Sequence, residues 1–89
     1  MKFYYHALGA DNDGNFPVDG SESDWTVVNC PDLDGDDYDS ALLRFPNDVQ
    51  NDVRSKAGGR PLLDLFEDTA GWGVGFSFLN EDEFESLQE

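Results

Sequence analysis

The chain has 89 residues, with 20 Asp and Glu against 5 Lys and Arg, a net charge of -15 and a pI near 4.1. A chain of that length has material for one modest core, so residues 1–89 are expected to form a single domain. Its charge repels nucleic acid phosphates and anionic lipid, which argues against direct binding of DNA, RNA or a membrane surface; yet 12 of its residues are Phe, Trp or Tyr, a share that disordered acidic chains lack, and so the chain should fold.

In chain order, Phe3, Tyr5 and Ala7 alternate with Lys2, Tyr4, His6 and Leu8, and predict a first strand over 2–8 that Gly9 releases. Residues 9–24 are polar and carry Gly9, Gly14, Pro17 and Gly20, the composition of a long loop, with Phe16 and Val18 available to pin it. Trp25 to Cys30 reads as a short strand closed by Pro31, and residues 31–39, nearly all Asp, Gly and Pro, read as a second loop. Ala41 to Phe45 is apolar but too short to classify by period; it is assigned here as a strand.

Pro46 at a first helical position, Val49 and Val53 four apart, and Gly58-Gly59 as a stop predict a helix over 46–57. A second helix opens at Pro61, with Leu62, Leu63, Leu65 and Phe66 as its apolar stripe and Gly71 at its end. Trp72, Val74, Phe76 and Phe78 alternate with Gly73, Gly75 and Ser77, a strand with one large face and one bare face, and a bare face implies another element lying close against it. Asn80 then caps a terminal helix with Glu83 at the capping-box position and Phe84 and Leu87 facing inward. The expected fold is α+β, a small antiparallel sheet of three to four strands with two to three short helices.

Charge is unevenly distributed: residues 1–39 carry a net -9, residues 40–60 a net +2 from Arg44, Arg54, Lys56 and Arg60 against Asp48 and Asp52, and residues 61–89 a net -8. One cysteine, Cys30, permits no internal disulfide and no cysteine-rich zinc site, which points to a reducing, cytoplasmic setting. No apolar run reaches the roughly 18 residues of a membrane span, and Met1 to His6 lacks a signal peptide's apolar stretch, so the N-terminus is expected to be retained.

Several patterns carry possible chemistry. Asp11 to Glu22 places oxygen-bearing residues at positions one, three, five, nine and twelve of an EF-hand calcium loop; but Phe16 occupies the glycine position and the flanks read as strands, which leaves a weak calcium-binding module as an alternative and no metal ligand to assign. His6 and Cys30, the only imidazole and thiol, are not close in sequence, and Gly71 to Gly75 follows a helix where a phosphate cradle precedes one. No nucleophile motif or cofactor signature is present, so no enzymatic activity and no cofactor are expected.

Two acid runs stand out as candidate partner-binding residues: Asp32, Asp34, Asp36, Asp37 and Asp39, and then Glu81, Asp82, Glu83 and Glu85. Fully extended, the first presents one charge per roughly 5 Å; on a helix, the second, counted with Glu89, presents one per roughly 2.7 Å. Both bracket the 3.4 Å per charge of one DNA strand. In size, charge and these two runs the chain resembles the small acidic phage inhibitors, anti-restriction and anti-CRISPR proteins among them, some of which mimic DNA. That resemblance implies a stoichiometric inhibitor whose carboxylates occupy a Lys/Arg-rich nucleic-acid-binding groove of a partner protein. Two alternatives use the same composition. An immunity protein neutralising a nuclease toxin needs an acidic face too, and a halophile's domain of unrelated function would also favour 14 Asp over 6 Glu and keep only 2 Lys.

Overall fold

A computed structural model of the chain describes residues 1–9, 22–64 and 75–87. Strands β1 (Lys2–His6), β2 (Thr26–Asn29) and β3 (Ser77–Asn80) form one antiparallel sheet in the order β2-β1-β3. Helices α1 (Tyr38–Leu42), α2 (Asn47–Ala57) and α3 (Glu81–Leu87) accompany it, with a 3-10 turn at Glu22–Asp24. The protein is a small α+β fold.

The sheet is covered on both faces, and this is why β1 reads Phe-Tyr-Tyr where a half-buried strand would alternate with polar residues. Phe3 and Tyr5 point to one face, join Phe78 and Val28, and are covered by Tyr38, Ala41 and Leu42 of α1, by Phe45, and by Val49, Val53 and Ala57 of α2. Tyr4 points to the other, with its register neighbours Val27 and Leu79 beside it, and is covered by Trp25 and by Phe84 of α3. Both layers are held largely by aromatic rings. Phe78 meets Phe3 and Phe45 at 6.2 and 5.2 Å between centroids, and on the opposite face Tyr4 stacks on Phe84 at 3.8 Å with Trp25 edge-on at 5.5 Å.

Four sequence expectations change. Residues 41–45 are not a strand: α1 begins at Tyr38 because Asp37 accepts from the Ser40 backbone N–H at 3.2 Å, and Tyr38, Ala41 and Leu42 then fall on one buried helical face. Pro46 stands one place before the helix, at ψ 156°, as the N-cap of α2; at the other end Gly58, at φ 65°, closes that helix with its N–H on the Arg54 carbonyl. The third strand runs from Ser77 to Asn80, later than the alternation of Trp72 to Phe78 suggests; Trp72 to Val74 lie outside the described residues, as do the 10–21 loop and the 65–71 part of the second helix. Leu62 to Asp64 are helical as expected. The close backbone approach expected at the bare strand face is not found at Gly75, which meets only the Lys56 side chain, and Gly73 lies outside the described residues; such an approach occurs instead at Gly9, where an added Cβ would stand 3.2 Å from the Phe76 backbone nitrogen.

Phe84 stacks face to face on Tyr4 at 3.8 Å and carries Trp25 on its edge, so it is the centre of the smaller cluster. Phe84→Ala is expected to cost about 3–5 kcal/mol, a large share of the stability of a domain this small, whereas Phe84→Leu should cost markedly less. Urea unfolding midpoints of the two variants check this, with comparable losses for both counting against it.

Candidate functional site

The first acid run is not extended. Its Asp and Gly residues fold it into two successive turns, with Leu33 N–H on the Cys30 carbonyl at 3.3 Å and Asp37 N–H on the Asp34 carbonyl at 3.1 Å, before α1 takes over. The ladder of charges at strand spacing is therefore replaced by a compact acidic knob. Leu33, between Asp32 and Asp34, turns inward and packs on the core, leaving those two carboxylates exposed.

The second run begins at a capping box. Asn80 Oδ1 accepts from the Glu83 N–H and Glu83 Oε1 accepts from the Asn80 N–H, both at 2.9 Å, as the Asn-x-x-Glu spacing predicts. The same two residues reach across to the first run. Asn80 Nδ2 donates to the Gly35 carbonyl at 2.7 Å and to the Tyr38 hydroxyl at 3.3 Å, and that hydroxyl donates to Glu83. Two segments 45 positions apart in sequence are thus joined at one point.

Of the nine candidate carboxylates, three hold the fold. Asp37 caps α1, Asp39 accepts from the Leu62 N–H at 3.3 Å, and Glu83 closes the capping box. Asp32, Asp34, Asp36, Asp82 and Glu85 are exposed and Glu81 is half-buried, on the two segments that the Asn80 and Tyr38 contacts join. The Tyr38 hydroxyl lies inside this acidic setting: burial, then the bond to Glu83 and the charges of Glu83 and Asp36 raise its pKa well above the ordinary phenol value. Sequence reasoning missed Tyr38 and Asn80 as the staple, although the capping-box spacing already marked Asn80.

A second polar cluster ties β1 to α2. Tyr5 donates to Asp52, which pairs with Lys56 one helical turn on at 3.1 Å, and Lys56 also donates to the Gly75 carbonyl at 2.9 Å. The bond from Tyr5, and then Lys56, hold the Asp52 carboxyl below the usual range, and burial with the same bond raises the Tyr5 phenol above its own. His6 and Cys30 are not brought together. They sit at opposite ends of the β1–β2 pair: the His6 ring is edge-on to Trp25 and accepts from the Leu8 N–H, while Cys30 is fully buried beside Met1, its thiol pushed up by burial. Among the described residues no group of three or more His, Cys, Asp or Glu is arranged to hold a metal ion, and no helix is long and apolar enough to cross a membrane. Most of the calcium-like segment 11–22 lies outside the described residues.

Two measurements test these clusters. Asn80→Ala removes a cap and the staple together and is expected to cost about 1–2 kcal/mol or more, with amide exchange accelerating at residues 35–38 as well as at the start of α3; acceleration in α3 alone would mean that the loop is held independently. Asp52, depressed in the fold, contributes stability that is present above about pH 4 and lost as pH falls further. Tyr5 and Tyr38, raised in the fold, contribute stability that is present below about pH 10 and lost as pH rises beyond it. Melting curves should show Asp52→Asn converging on the parent only at the acid end. No protein-family model matches this chain, and no curated protein or solved structure shows detectable similarity to it.

Proposed function

We propose that the protein is a stoichiometric inhibitor whose acidic face fills a Lys/Arg-rich, nucleic-acid-binding groove of a partner protein, in the manner of anti-CRISPR and anti-restriction proteins. The observation that carries this is the staple: Asn80 to Gly35 and Tyr38 to Glu83 fix two acid runs into one surface. A solubility device has no need of such order, because charge repels at a distance whatever its arrangement. A surface that competes with phosphates does need it, since pre-set carboxylates meet a groove's cations without losing side-chain and loop entropy at the moment of binding. The partner's groove releases its own counterions, and association is steered by complementary fields, so binding is fast and salt-sensitive. The contact carboxylates are Asp32, Asp34, Asp36, Glu81, Asp82 and Glu85, with Asp37, Asp39 and Glu83 acting from within the scaffold. No catalytic step is part of this function.

The test is capture from a bacterial extract at low and high salt, followed by competition with a short DNA duplex. Proteins retained through the acidic face are expected to be nucleic-acid-binding and to be displaced by the duplex. Asp32, Asp34 and Asp36 changed together to Asn keep their shape and leave the Asp37 cap of α1 untouched. Each close charge pair lost typically costs about 1.5 kcal/mol or more, so a triple change in the contact run should weaken binding by more than about a thousandfold. Changing Glu81 and Glu85 to Gln and Asp82 to Asn tests the other run. If both triple variants hold the same proteins as tightly as the parent at every salt concentration, the acidic face is not a binding surface.

A further inference from the structure

Between the end of α1, the buried side of α2 and the turn that leaves it lies a cleft of about 330 Å³. Leu42, Val53, Ala57 and Leu62 form its floor, all of them buried, and Leu43 stands at its lip, 64% exposed. The volume is about twice that of the roughly 150 Å³ apolar cavity known to admit benzene, and it lies at the lower end of the range for small-molecule pockets. Two of the chain's three arginines, Arg54 and Arg60, line it. Asp39 lines it as well, with Oδ1 taken up by the Leu62 N–H. The cleft is therefore apolar within and net cationic at its rim, on a protein of charge -15.

Chance placement is a poor account of that arrangement, because the chain has so few cations. Lys56 is tied to Asp52 and to the Gly75 carbonyl, whereas Arg54 is aligned along α2 by the Gln50 side chain at 3.2 Å. A guanidinium presents a planar fork that matches a carboxylate in a two-pronged bond, a geometry that an ammonium lacks. We propose that this cleft binds a small amphipathic monocarboxylate, its aryl or branched alkyl tail on the Leu42–Val53–Ala57–Leu62 floor and its carboxylate at Arg54 and Arg60. The long-range field of the protein opposes any anion, but it is screened over about 8 Å at physiological ionic strength, while bonds at contact persist. The site is independent of the acidic face and stands or falls separately from it.

Phenylpropanoate is the probe, followed through the backbone amide shifts of the full chain at millimolar ligand, with phenylpropanamide and phenylpropylamine as its uncharged and cationic counterparts. Saturable shifts confined to residues around 42–43, 53–60 and 62 are expected, with the acid binding about tenfold more tightly than the amide, the worth of one charge-assisted bond. Arg54→Gln and Arg60→Gln should each erase that advantage. Arg44→Gln, an equal change of net charge at an exposed residue outside the cleft lining, should preserve it. The proposal is overturned by any of three results: no saturable shift, an amide or amine that binds as tightly as the acid, or an Arg44→Gln variant that loses as much as the other two. All three substitutions are at exposed side chains, and an unchanged amide spectrum of the unliganded variants verifies the fold.

Discussion

The Asn80 side chain is the point on which the arrangement turns. It is 7% exposed, and each of its amide atoms is used: the oxygen holds the first turn of α3, and the nitrogen holds the loop carbonyl of Gly35 and the hydroxyl of Tyr38. A buried amide left without partners costs as much as several exposed contacts contribute, so the network is stable only when complete. Tyr38 belongs to the aromatic cluster on one face of the sheet and Glu83 to the helix covering the other. Their hydrogen bond therefore runs round the margin of the sheet past the end of β3, an edge strand, and joins the two layers there. One residue decides the helix boundary, the loop position and the joining of the layers.

Charge sets the second constraint. A net -15 on 89 residues opposes compaction at every point, and a core this small has little stability to spare. The fold limits the cost by giving some carboxylates internal work: Asp37 and Asp39 meet backbone N–H groups, Asp52 meets Tyr5 and Lys56, and Glu83 meets Asn80 and Tyr38. Hydrogen bonds to ionised groups are among the stronger ones available. Acids so employed stabilise the structure that the remaining, outward acids destabilise, and the outward set is left in fixed positions as a result.

Much of this was legible in the sequence, for identifiable reasons. The α2 helix announced itself through Val49 and Val53 and through Gly58, whose left-handed φ of 65° is the conformation a stop requires. The capping box at Asn80 and Glu83 was readable from spacing alone, because it is a local interaction. The segment at 38–42 was not, since its helix depends on a cap from Asp37 inside what looks like a polar run, and four or five apolar residues have no resolvable period. The joining of the acid runs was illegible for a different reason. It rests on contacts across 45 residues, and nothing local to Gly35 says that an asparagine will meet its carbonyl. The cleft depends likewise on Arg54, Arg60 and Leu42 converging from separate turns, so that only the mildly basic balance of residues 40–60 hinted at it.

The separation of charge along the chain becomes a separation in space through the sheet. Residues 40–60, with their net +2, build most of the helical layer on the Phe3–Tyr5 face, whereas the terminal acidic helix lies on the Tyr4 face. Between these layers the sheet contributes mainly apolar and aromatic side chains, with the Tyr5 hydroxyl bonded to Asp52 on the α2 side and Asn80 joining the layers at the margin. Asp39 is the point where the acidic loop touches the cleft that Arg54 and Arg60 line. With Arg54 and Arg60 beside an apolar cleft, and Asp32, Asp34, Asp36, Asp82 and Glu85 exposed on the stapled loop and terminal helix, one small domain carries two surfaces of opposite chemistry.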